Sequence, residues 1–301
     1  MVVMFSSIND LDMFGNHNSE KQLFFRQPFS DKYTLTIKAD VLAGSVPIQT
    51  TTEIRWDLRV KNIQKDLIEI ELLTLDNELL ATNNPALKEM ARMNQAFARM
   101  YSEIHVLIDK SGKVKKVLNE ELIKRKWAST KAEMEAIENQ VEAVKGIIIM
   151  NDEIFTSPEK IITAVQHNEF FSIYFHQVYG RKLPGETSVE TKWNHFQQAQ
   201  MDWYYSLRPN ITLPVLQEQS SVTVDITGHP VTRVDNNWIR KAYGAFPNID
   251  TGTIKPRFSE LGRYNIEPQT GRLKEAYLLK EEIAHPQFIS SKIEYTMKAV
   301  G

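Results

Sequence analysis

Residues 31–41, DKYTLTIKADV, put Tyr33, Leu35, Ile37, Ala39 and Val41 on one side of the chain and Lys32, Thr34, Thr36, Lys38 and Asp40 on the other. A period of two predicts an antiparallel strand with one face buried and one in water. The next run does the same: Ile48, Thr50, Thr52, Ile54, Trp56, Leu58 and Val60 lie opposite Gln49, Glu53, Arg55, Asp57 and Arg59. A third sets Ile68, Ile70 and Leu72 against Glu69 and Glu71. Three such strands with short connections predict a meander.

The period then lengthens. Asn84 before Pro85 predicts a helix start, and Leu87, Met90, Phe97 and Met100 follow at helical spacing. Asn119, ahead of Glu120 and Glu121, predicts the cap of one long helix with Ile123, Trp127, Met134, Ile137, Val141, Val144 and Ile148 on its apolar stripe. Ser157-Pro158 opens a further helix that Gly180 is placed to end. Alternation returns from about residue 184, with Thr187, Val189, Thr191 and Trp193, then with Ser220, Val222, Val224 and Ile226. It is cleanest in the last strand, where Ile289, Ser291, Ile293, Tyr295, Met297 and Ala299 share a face.

One phrase occurs twice. SGKVKKV at 111–117 and TGRLKEA at 270–276 both read as a tight turn between strands, with a glycine that permits positive φ. Upstream, Glu53-Ile54-Arg55-Trp56 is echoed by Glu190-Thr191-Lys192-Trp193 in the same order. Two readings stay open: a diverged duplication, or the common look of any antiparallel hairpin. The expected fold is α+β, with curved antiparallel sheets in two meander-and-hairpin halves, open-barrel-like, and a central block of about three helices packed on them. The expected units are an N-terminal arm (1–22), a sheet with one helix (23–118), a helical segment (119–182) and a second sheet (183–301). At the level of architecture this arrangement resembles the incomplete barrels of bacterial lipoprotein carriers, and fold analogy alone transfers no function.

Composition narrows the function classes. The 301 residues carry 36 basic and 38 acidic side chains, a net charge of −2, so no global attraction to nucleic acid or anionic lipid is expected. The absence of cysteine removes thiol chemistry and cysteine metal sites. No run approaches the ~18 apolar residues of a membrane span, and the N-terminus has no secretory pattern. A soluble, cytoplasmic protein is the expectation, with a removed leader left open.

No motif carries chemistry, so no catalytic residue, cofactor or metal is assigned. The seven histidines show no paired metal spacing, and His105 reads as a packed or surface strand residue. The carboxylate pairs Glu120-Glu121 and Glu281-Glu282 read as helix-start or solvated charges. In AQMDWYYSLRPN, adjacent aromatics on a strand must point to opposite faces, so Tyr204 turns away from Trp203 and Tyr205. With Arg208, and with Trp238, Arg240 and Tyr243 in an expected loop or edge (NNWIRKAYGAF), these residues form the candidate partner-binding set. A non-enzymatic protein-binding module (an inhibitor or immunity-type protein, an adaptor or an assembly factor) is the leading reading. The alternatives are a carrier of an apolar, lipid-like ligand between sheet and helices, and a hydrolase with a scattered catalytic set.

Overall fold

A computed structural model of the chain describes residues 21–44, 46–138, 142–210, 220–246 and 249–300. Most of the expected N-terminal arm, 1–20, lies outside the described residues, while Gln22 forms a β-bridge with Lys182.

Twelve strands form one open antiparallel sheet. β1 (Phe29–Ala43), β2 (Val46–Ile63), β3 (Ile68–Thr82), β4 (Glu103–Ile108) and β5 (Val114–Val117) run as a meander to one edge. β12 (Ile289–Val300), β11 (Arg272–His285), β10 (Arg257–Glu267), β9 (Val222–Pro230), β8 (Gln200–Pro209) and the two-residue β6 (Gly185–Glu186) run to the other, and β7 (Glu190–Trp193) pairs the free part of β8. The halves join where β1 pairs β12 from Lys32↔Val300 to Ala43↔Ile289. Because side chains alternate, this register puts Leu35 beside Met297 and Ile37 beside Tyr295 on the inner face.

Among the described residues six α-helices accompany the sheet, four of them in the central segment where about three were expected: α1 (Pro85–Ala98), α2 (Glu120–Glu138), α3 (Glu142–Ile154), α4 (Pro158–Gln166), α5 (Glu169–Tyr174) and α6 (Asn236–Tyr243). The expected long helix after Asn119 is two. Residues 139–141, which include the stripe position Val141, lie outside the described residues, as do the side chains of Met90, Phe97 and Ile137. α2 and α3 fold back on each other: Trp127 Nε1 donates to Asp152 Oδ1 at 2.9 Å and Trp127 stacks on Phe155. Asn119 turns its side chain to β4 instead, accepting from His105 N and donating to the Glu103 carbonyl.

The helix expected from Ser157 to Gly180 also divides. Ser157 caps α4 as its sequence suggests, but the Asn168 side chain accepts from Phe170 N and starts α5 in a new direction. That break lets α5 lie against the inner face, with Phe170, Phe171, Ile173 and Tyr174 all buried.

Both glycines of the repeated phrase have positive φ, +81° at Gly112 and +77° at Gly271. A Cβ at Gly112 would meet the Phe175 ring, and one at Gly271 the Phe24 carbonyl, so each turn is closed down onto the core. The hairpins are not equivalent, however. One lies at the outer edge (β4–β5), the other beside β12 (β10–β11), and Trp56 is 1% exposed where its echo Trp193 is 49% exposed. The strand order therefore does not confirm a duplication.

Candidate functional site

The inner face of the sheet is solid in one part and hollow in another. Around α5 it is solid. Tyr33 Oη donates to the Leu273 carbonyl, Tyr264 Oη to the Ile173 carbonyl and Tyr179 Oη to the Gly271 carbonyl, while Tyr174 Oη accepts from Leu273 N. Each buried hydroxyl thus has a backbone partner, as burial requires. Burial pushes the Tyr174 phenol up to about 12 and the Tyr264 phenol well above its ordinary value. These tyrosines act as stitches between α5, the segment following it and the sheet.

Beside the stitches lies a buried charged cluster. Glu260 on β10 accepts from Tyr205 Oη at 2.9 Å, and Lys192 Nζ donates to the same hydroxyl at 2.6 Å. Lys192 and Lys280 stand 4.0 and 3.9 Å from the carboxylate. His176 Nε2 is 3.1 Å from Glu260 Oε1 but is not aligned for a hydrogen bond. Burial alone would raise the Glu260 value, yet Lys280, His176 and Lys192 together hold it well below the carboxylate range. The same burial lowers Lys192 and His176.

One turn along β11, Glu282 is fully buried and accepts from Asn194 Nδ2, His195 N and Tyr243 Oη. This corrects the reading of Glu281-Glu282 as solvated or helix-start charges, because the pair sits on a strand and alternation turns Glu282 inward. His176 has φ of +35°, outside the region ordinary residues favour.

Tyr33, Leu35, Trp56, Leu58 and Ile70 are packed on the same face, but toward the β1–β2 turn the inner face of β1–β3 is less filled. A groove of about 460 Å³ lies on the outer face near Lys38, Asp40 and Lys292, and a larger one of about 670 Å³ lies on the inner face between the sheet and the helices. Ile37, Ile54 and Leu79 form the sheet side of the larger groove, and Leu87, Ala91, Met100, Ile147 and Met150 the helix side. α1 is held over β3 by Gln95 Nε2, which donates to the Asn77 carbonyl at 2.7 Å. Ile54, Asn77, Ala98, Tyr101 and Glu169 also line a chamber of about 220 Å³ that continues toward Trp56. There, Trp56 Nε1 and Tyr101 Oη are buried with no hydrogen-bond partner among the described residues.

The aromatic and arginine residues singled out in the sequence are divided by the fold. Trp203 and Tyr205 are buried on the inner face, stacked at 6.4 Å, and Tyr205 belongs to the Glu260 cluster. Tyr204 does turn to the opposite face, where it is half-buried and stacks on His229 at 4.8 Å. Arg208 and Arg240 are exposed. Tyr243 is buried on Glu282, and Trp238, half-buried, donates its Nε1 to the Gln200 carbonyl. The segment expected as loop or edge is helix α6: Asp235 caps it, and Ile239, Ala242 and Tyr243 form its buried stripe. The seven residues therefore do not form one exposed patch.

No protein family matches this chain. No curated protein matches it either. Among solved structures, a study of lipid–protein interactions in lipovitellin aligns with 91% of this chain at 9% identity and a TM-score of 0.39. The aligned part spans a quarter of that lipovitellin chain, and a likeness of this degree carries no functional argument. A ligand space between sheet and helices was among the expectations from the sequence, whereas the Glu260 cluster was not. A signal for the cluster existed: Glu260 stands in phase with Phe258, Tyr264 and Ile266, where alternation predicts an apolar residue. Among the described residues no helix is long and apolar enough to cross a membrane.

Proposed function

We propose that the protein binds an apolar, lipid-like ligand in the groove between β1–β3 and the helices α1 and α3. The observation that carries this reading is the groove itself. Its volume falls within the ~300–1,000 Å³ typical of small-molecule sites, and its walls are more than half aliphatic, with Thr50, Thr52, Asn77, Gln95, Asn151 and Glu169 among them. Leaving such walls in water forgoes roughly 25 cal/mol for each Å² of apolar surface, which a ligand chain would recover. Met100, Met150 and the other unbranched or flexible side chains can adapt to a chain of variable shape.

The test is binding of an environment-sensitive naphthylamine fluorophore and its displacement by hexadecanol. Leu79→Lys places a charge in the groove and abolishes the fluorescence gain, whereas Leu261→Lys on the outer face leaves it intact. No gain with the unaltered protein, or an equal gain in Leu79→Lys, removes the reading.

A protein partner on the outer face is the second reading, favoured by Tyr204 stacked on His229 next to the exposed Arg208. Recovery of one stoichiometric partner that Tyr204→Ala releases would support it; capture unaffected by Tyr204→Ala and Arg208→Ala together would remove it.

A further inference from the structure

Resting on the apolar-ligand reading, we infer that the ligand is an uncharged amphiphile whose hydrogen-bond-accepting head is seated in the 220 Å³ chamber against Trp56 and Tyr101. A buried donor without a partner costs free energy and calls for an explanation. Trp56 is 1% exposed, its indole N–H is a donor only, and it is one of two such groups on residues that line the same chamber. Burial raises the Tyr101 phenol to about 12, so it is a neutral hydroxyl near pH 7 and can donate as well. Both atoms are sealed from solvent, each exposing less than 1 Å², so an acceptor such as an ester carbonyl, an ether or a hydroxyl oxygen meets them when the side chains of the chamber wall shift around the head.

Charge decides what kind of acceptor. Among the described residues, neither the groove nor the chamber is lined by any lysine or arginine. The one charged group that lines both is Glu169, exposed at the mouth, where His167 is the other titratable residue. A carboxylate or phosphate head would be buried without a counter-ion and would face Glu169, which is a costly placement. A neutral glyceride or fatty alcohol head meets neither penalty. The apolar tail then extends from the chamber into the 670 Å³ groove through the shared wall of Ile54, Ala98 and Tyr101.

The experiment compares monopalmitin, palmitate and palmitoyl lysophosphatidate, matched in chain length, by displacement of the naphthylamine fluorophore from the full chain. Monopalmitin is expected to bind at least tenfold more tightly than either anion. Tyr101→Phe removes one donor with little change of shape, and should weaken monopalmitin by about threefold to tenfold while leaving hexadecane displacement unchanged. Trp56→Phe should act likewise, and Tyr101→Phe stands in for it if the smaller ring destabilises the fold. Glu169→Gln should narrow the gap between palmitate and monopalmitin.

If the fluorophore itself fails to bind, the groove reading falls and this inference with it. If it binds, but the three heads compete equally and Tyr101→Phe changes nothing, only water satisfies the two donors and the inference alone is overturned. Tighter binding of either anion overturns it as well.

Discussion

Two regions of the inner face solve the same packing problem differently. Around α5 and the segment following it the inner face is covered from both halves of the sheet: Phe170 packs on Trp56 of β2, Tyr33 of β1 and Tyr174, and the tyrosine hydroxyls bond to backbone. Toward the β1–β2 turn a groove remains, lined by Ile37, Ile54 and Leu79 from the sheet and by Met150 and Ile147 from α3. Apolar and polar residues alternate in both regions. What differs is the cover, since α5 is short and aromatic whereas α1 and α3 present aliphatic side chains and small alanines. A face that is patterned for burial but not filled is the physical basis for assigning ligand binding to this region.

The contrast is broken most severely at its packed side. Phe170→Ala should destabilise the protein by about 3–5 kcal/mol, the usual cost of removing a fully buried aromatic ring, measured by urea unfolding. A loss below about 1 kcal/mol would mean that α5 is not the keystone described here. Next in size is Glu260→Gln. It leaves Lys192 and Lys280 facing each other without their carboxylate, and should cost about 2 kcal/mol, discounted because both lysines retain some solvent.

The buried histidine sharpens the comparison through pH. Burial holds His176 below its ordinary value of 6.5, with Lys192 and Lys280 acting in the same direction and Glu260 against it. A group that is neutral when folded takes up a proton on unfolding once the pH drops below the unfolded value. Stability from His176 is therefore present above 6.5 and declines below it. Glu260, held low by its cationic neighbours, adds a further loss in stronger acid, as the pH falls toward its folded value. The thermal midpoint should fall between a pH of about 7.5 and about 5.5, and His176→Asn should flatten that slope. An unchanged slope in the variant would show that His176 is not the titrating group.

The smallest effects belong to the hollow side. Ile147→Ala, at a half-exposed groove position, should cost under about 1 kcal/mol of stability, because little packing is lost where little exists. Tyr204→Ala on the outer face should stay within about 0.5–1 kcal/mol. A large loss at Ile147 would mean that the groove is closed in solution.

Much of this was legible in the chain. Alternation in 31–41, 289–299 and the runs between locates the strands, because each has one face in water. Glycines 112 and 271 stand at turns that need positive φ. The helices were less legible. Asn168 looks like an ordinary position within a long helix, and it becomes a cap only because Phe170 and Tyr174 gain more by turning onto the sheet. A space between sheet and helices was an open alternative from the sequence, but its position was not legible, since Ile54 at the groove and Leu58 in the packed core follow the same pattern of two. Nor did neighbouring aromatics reveal their fate: Tyr204 and Tyr205 differ only in strand phase, yet one is half-buried on the outer face and the other lies against Glu260. Burial among charged groups depends on which strands become neighbours, and Lys192, Tyr205, Glu260 and Lys280 come from four of them.

The most direct measurement uses Trp56 as a reporter, because it is the tryptophan that lines the chamber. Saturating the protein with a monoacylglycerol brominated near its head should quench part of the tryptophan fluorescence, and Trp56→Phe should abolish that quenching while Trp193→Phe does not. Quenching that survives Trp56→Phe, or none at all under saturating ligand, would place the ligand elsewhere and contradict the account.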